Sequence, residues 1–128
     1  MLKFLLIGLG GAIGAVARYI VSGIDYKWSS GIFPVSTLIV NLSGSFVIGF
    51  LWGVFEVVAV SSNLRMFVFI GILGGFTTFS TFALENFNLL KDGERNIAFL
   101  NILISNVLGI GLVFAGYLIA KLVVNFYK

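Results

Sequence analysis

The chain has 128 residues, 59% of them hydrophobic and 10% charged, with a formal charge of +3 and a mean hydropathy of +1.12. A soluble domain is nearer half apolar and a quarter charged, so lipid must solvate most of this one. The absence of cysteine and histidine excludes disulfides, thiol chemistry, iron–sulfur clusters and the usual proton shuttle, and the scattered Lys and Arg exclude a nucleic-acid surface.

The first apolar segment runs from about Leu2 to Ser22. Lys3 ahead of an apolar run resembles the start of a signal peptide. Arg18 interrupts that pattern and no clear small-x-small cleavage site follows, so the expectation is a retained helix. Gly10-xxx-Gly14 and Gly11-xxx-Ala15 are spaced for close helix packing. Arg18 lies four residues before the segment ends. It can snorkel to the interface, or it can hold a positive potential that concentrates anions at a vestibule. A polar link follows, DYKWSSGIF at 25–33, with Tyr26 and Trp28 where interfacial aromatics belong.

The second segment runs from about Val35 to Val60, with Pro34 suited to a helix start. Thr37, Asn41 and Ser45 fall at i, i+4 and i+8, on one helix face. Gly49-xxx-Gly53 repeats the small-residue spacing, and Glu56 lies near an interface. The glycines can pack helices within one subunit or between two.

After SSN at 61–63, the third segment runs from about Leu64 to Leu90. Its middle carries GGFTTFSTF at 74–82. From Arg65 to that point is ~13 Å of helix, about half the bilayer core. Gly74-Gly75 is expected to end the first half-helix, and Thr77, Thr78 and Ser80 are good capping types for a restart. A break at that depth survives only if it is buried in protein or lines a watery cavity. The carbonyls ending the first half suit a cation, and the amides and hydroxyls starting the second suit an anion. Phe79 and Phe82 share a face beside the break. They can be lipid-facing or core residues, or they can present positive ring edges to an anion. Glu85 reads as an interfacial carboxylate.

KDGERN at 91–96 leads to the fourth segment, from about Ile97 to Val124, flanked by Phe126 and Tyr127. Asn101 and Ser105 are at i and i+4, with Gly109 next on that face and Asn106 adjacent. Interhelical hydrogen bonds of this kind contribute only ~0.6 kcal/mol each on average. Two polar stripes together with a broken helix favour a solute pathway over simple adhesion.

These segments describe one all-α membrane domain over 1–128, with four transmembrane helices and the third broken near its middle. Lys3, Arg65, Lys121 and Lys128 fall on one side, and Arg18, Lys27, Lys91 and Arg95 on the other. Equal numbers give insertion no bias, which points to copies inserted both ways. There is no internal repeat. An antiparallel homodimer would supply the inverted symmetry that many transporters build into one chain.

GGAIGAVARY at 10–19, STLIVNLSGSFVIG at 36–49 and GILGGFTTFSTFALE at 71–85 resemble the CrcB/Fluc fluoride channel family over nearly the whole chain. The resemblance implies a non-enzymatic, fluoride-selective channel without catalytic residues. It implies a dual-topology antiparallel homodimer in the inner (plasma) membrane, with two pores that export cytoplasmic fluoride passively. It gives Phe79 and Phe82 the role of pore-lining rings. Asn41, Thr37, Ser80 and Thr81 contribute donors to the fluoride pathway, and Asn101 and Ser105 form a polar track on the last helix. Arg18 matches the family's vestibule arginine. A structural sodium ion at the dimer interface is implied to bind the main-chain carbonyls of Gly74 and Thr77. The chief alternative is a small four-helix multidrug transporter, which needs a membrane-buried carboxylate; before Glu85 the three spans offer only Glu56. A non-transporting assembly protein would explain the glycines but not the polar stripes. If insertion is dual, single cysteines engineered near either terminus label from both sides of the membrane; labelling from one side alone refutes it.

Overall fold

The computed structural model describes residues 1–23 and 31–126. Tyr26, Lys27, Trp28, Tyr127 and Lys128, assigned to interfaces or to the charge count above, lie outside these residues. Among the described residues there are helices and turns and no strand. Helix α1 is Leu2–Ser22 and α2 is Val35–Phe55, with Pro34 at its N-cap. Helix α3 covers 62–76, α4 is Phe79–Lys91 and α5 is Arg95–Phe126. Four segments are long and apolar enough to cross a membrane: α1, α2, Ser62–Lys91 and α5. The chain is a multi-pass membrane protein.

Lipid tails are as apolar as leucine, so nothing hydrophobic drives these helices together. Close backbone approach does that work instead. α1 runs along α3 and α2 along α5, the members of each pair pointing the same way. Gly10 faces the Phe67 carbonyl and Gly71, and a Cβ at Gly10 would stand 2.6 Å from that carbonyl oxygen. Gly14 meets the Ile72 carbonyl, and Gly75 lies on Gly11. Gly49 lies against the Val113 carbonyl, Gly116 against Phe46, and Gly53 against Ala120. Gly10 and Gly14 of α1 and Gly49 and Gly53 of α2 thus pack within the single chain, whereas Ala15 is exposed on it. Large buried side chains are few; Val40 and Asn101 are the largest that are fully enclosed.

The first half of the broken span is not a plain α-helix. Ser61 caps it, accepting from the Leu64 N–H at 3.2 Å. One α turn, Ser62–Arg65, passes into a π-helix at Met66–Leu73 and then one α turn at Gly74–Phe76. π-helical stretches are rare and concentrate at functional sites.

α2 ends at Phe55, short of the expected Val60. The reason is a cap from another helix: the Arg65 guanidinium donates to the Phe55 carbonyl and sits 5.7 Å from its ring centroid. A cation satisfies both the orphan carbonyl and the negative end of the helix. Trp52 and Phe55 meet Phe69 edge-on at 5.7 and 5.6 Å, tying α2 to the π-helix. Glu56, just past the end, pairs with Lys121 at 2.7 Å and accepts from the Tyr117 hydroxyl at 2.9 Å. The Lys121 ammonium beside it holds the Glu56 carboxyl below its ordinary pKa. At the opposite end, Gly93 has φ +85, and this left-handed turn reverses the chain from α4 into α5.

Backbone contact at glycine makes a direct prediction. Gly→Ala in an open helix is neutral or mildly stabilising. Gly49→Ala should instead lower thermal stability in detergent, by about 1–3 kcal/mol of overpacking. Gly111→Ala, where a Cβ meets nothing within 4 Å, serves as the neutral control.

Candidate functional site at the helix break

The break lies later than the sequence suggests. Gly74 is helical, at φ −64 and ψ −35. Thr77 (φ −76, ψ 156) and Thr78 (φ −149, ψ 117) are the extended residues. β-Branched threonines favour extended backbone, whereas glycine has no preference to enforce a stop. Gly75 serves close contact with α1, and Gly44 on α2 leaves room for the Thr77 methyl.

Thr78 is the centre of the break. It caps α4, its hydroxyl accepting from the Thr81 N–H at 3.3 Å and donating to the Thr81 hydroxyl at 3.0 Å. Its backbone is held from α2. Asn41 Oδ1 accepts the Thr78 N–H at 2.9 Å, and Asn41 Nδ2 donates to the Thr78 carbonyl at 3.0 Å. An N–H can only donate and a carbonyl can only accept, so this double bond fixes the orientation of the amide. One N–H of Nδ2 is left over for a further acceptor.

The clasp has a consequence for the two carbonyls singled out above. In an unbroken helix Gly74 would receive the Thr78 N–H and Thr77 the Thr81 N–H. The first goes to Asn41 and the second to the Thr78 hydroxyl. Two main-chain oxygens at membrane depth have thereby lost their helical donors.

A groove opens on either side of Thr78. One, of about 340 Å³, is lined by Asn41, Ser45, Gly74, Thr77 and Phe79 among others. The other, of about 320 Å³, is lined by Arg18, Tyr19, Thr37 and Thr81. Arg18 therefore stands with the α2 polar face and the start of α4, not at an isolated interface. Phe79 is 79% exposed on the single chain. Its ring centroid lies 5.7 Å from that of Phe82, with the planes tilted by 45°. Ser80 is exposed beside them, its hydroxyl 3.4 Å from that of Thr78.

Thr37 donates to Glu85 Oε1 at 2.6 Å, so this carboxylate is engaged across α2 and α4. Asn101 and Ser105 take a different place from the α2 stripe. Neither lines these two grooves. Ser105 donates to Asn101 Oδ1 at 3.3 Å, and Asn101 donates to Asn86 Oδ1 at 3.2 Å. Asn86 and Thr78 join the candidate residues only through the structure. Asn86 gave a signal, standing four residues after Phe82 on the same helical face. Thr78 gave none beyond its capping chemistry, since its partner is distant in sequence.

The model of the family described as CrcB-like protein, Camphor Resistance (CrcB), matches residues 5–117. That settles the family. The chain belongs to the CrcB-like proteins. A relative from Parabacteroides distasonis, named fluoride-specific ion channel FluC, is 44% identical over 128 residues, covering both chains completely. One of the same name from Desulforapulum autotrophicum is 43% identical over 122 residues, 94% of this chain and 98% of its own. Another from Pyrococcus abyssi is 44% identical over 118 residues, 91% and 94% of the two chains.

The clasp can be tested by itself. Asn41→Leu leaves two buried backbone groups of Thr78 unmatched, at about 1–3 kcal/mol each. It should lower the thermal midpoint in detergent well below that of Asn106→Leu, whose amide bonds only along its own helix to the Ile102 carbonyl. Equal losses in the two variants would show that Asn41 does not hold the break.

Proposed function

We propose that this chain forms a fluoride-selective channel that exports cytoplasmic fluoride passively. The observation that carries the reading is the break at Thr77–Thr78, clasped by Asn41 with Phe79 and Phe82 beside it, in a chain whose relatives are named fluoride-specific ion channels. Fluoride is small and strongly hydrated, so a pathway must replace its water with donors. Asn41 keeps an N–H for that purpose, and the hydroxyls of Ser80 and Thr81 stand at the start of α4; Thr37 lines the second groove with its own hydroxyl hydrogen given to Glu85. Ring edges of Phe79 and Phe82 carry the positive end of the aromatic quadrupole and exclude bulk water. Arg18 draws anions toward the second groove. Asn101 and Ser105 contribute on this reading through α4. Hydrogen fluoride enters a cell as a neutral acid and ionises inside, and the anion leaves down its gradient. No chemical bond changes, so the protein is a channel and not an enzyme.

The working unit in this proposal is a dual-topology antiparallel homodimer in the inner membrane. Both grooves are open on the single chain and Phe79 is uncovered, which a second copy would remedy. Two-fold symmetry then gives two equivalent pores. The residues also fit a structural sodium ion. The Gly74 and Thr77 carbonyls have lost their helical donors, and hard cations bind oxygen. One chain supplies only two such oxygens; two chains would supply four. The ion would contribute fixed positive charge where two breaks meet.

Purified protein in liposomes should release loaded fluoride, read with a fluoride electrode, and retain chloride. No fluoride efflux overturns the reading. Phe79→Ile and Phe82→Ile should each reduce efflux with folding preserved, and unchanged flux in both would remove the ring-edge mechanism.

A further inference from the structure

We propose that Asn86 is a positioning residue that sets the rotation of α4 about its axis, and with it the placement of Phe79 and Phe82. The inference deepens the channel reading and rests on it for its consequence in flux.

Against α5, α4 has little else to fix that rotation. Its buried residues are Asn86 and Leu89 alone. Leu89 offers apolar contact, which has no direction. Asn86 is 6% exposed and its bonds are directional. Its Nδ2 donates to the Phe82 carbonyl at 2.7 Å, and its Oδ1 accepts from Asn101 Nδ2 at 3.2 Å. Asn101 is 1% exposed, and its own oxygen accepts from Ser105. The order of donors is forced. A carbonyl can only accept, so Asn86 must turn its NH₂ toward Phe82 and its oxygen toward α5. Asn101 must then offer its NH₂ and keep its oxygen for the Ser105 hydroxyl. The result is a one-way relay from α5 into α4, ending on the backbone of a proposed pore residue.

The geometry makes this relay a ring-positioning device. Phe79, Phe82 and Asn86 fall at i, i+3 and i+7, on one face of α4. Turning α4 to bring a different residue to Asn101 would sweep both rings aside. The other ties, Asn41 to Thr78 and Thr37 to Glu85, hold the N-terminal end and the flank of α4. Asn86 supplies the tie to α5. In lipid no water competes for these groups, and a lost partner leaves an asparagine amide stranded. The Asn101 and Ser105 stripe thus acts on the pathway through α4 rather than by lining either groove.

The test uses full-length protein with 4-fluorophenylalanine at position 82, reconstituted in liposomes, comparing wild type, Asn86→Leu, Asn86→Ser and Asn106→Leu. Asn86→Ser can still bond back to the Phe82 carbonyl but cannot reach Asn101, so it isolates the link to α5. The expected result is a shifted or broadened ¹⁹F resonance in both Asn86 variants and none in Asn106→Leu. Fluoride efflux in the Asn86 variants should fall about tenfold, the size of effect a single lost buried hydrogen bond can produce. A lower thermal midpoint with the resonance and the efflux of wild type would show a merely structural role and overturn the proposal. Wild-type vesicles that release no fluoride, with the resonance still shifted in the Asn86 variants, would refute the channel reading and leave the positioning role standing. An unchanged resonance refutes the positioning role whatever the flux.

Discussion

The double hydrogen bond between Asn41 and the backbone of Thr78 is the constraint on which the centre of this protein depends. A helix interrupted in the middle of a bilayer leaves polar backbone groups that lipid cannot satisfy. Asn41 matches one N–H and one carbonyl at once, with the two functions of a single amide. That bond keeps Thr77 and Thr78 extended, aims the start of α4, and withdraws the helical donor from Gly74. The Thr78 hydroxyl, capping α4 beside it, withdraws the donor from Thr77 in turn.

The clasp requires α2 to lie close to the break, and glycine provides that closeness. Gly44 admits the Thr77 methyl three residues from Asn41, while Gly49, Gly53 and Gly116 press α2 onto α5. The same logic seats α1 on α3 through Gly10, Gly14 and Gly75. In a medium without a hydrophobic effect, contact between backbones is the available route to tight packing. The rigid pairs that result give the polar residues fixed partners. Thr37 finds Glu85, and Asn101 finds Asn86.

Much of the fold was legible because the bilayer imposes a length. The apolar segments marked the four spans, and the polar residues at 74–82 marked a break. The ends were less legible. Nothing local announces that α2 stops at Phe55, because its cap is Arg65 of the next helix. The π-helix at Met66–Leu73 was also invisible, since its residues would read equally well as an α-helix. In the site, the α2 stripe was legible from spacing alone. The partners of Asn101 and Ser105 were not, since spacing within one helix says nothing about which helix it meets.

The sequence by itself determined that this is a membrane protein of four spans, that its third span is interrupted, and which small and polar residues share a face. Those properties follow from hydropathy, length and the helical period, which act along the chain. The tertiary structure alone decided that the break falls on Thr77–Thr78 instead of Gly74–Gly75. It also decided that the glycine stripes pack within one chain and that Asn86 joins α4 to α5. A glycine takes whatever conformation its neighbours press on it, and a buried amide bonds whatever group the packing brings within 3 Å or so. Both depend on distances that exist only once the helices are together.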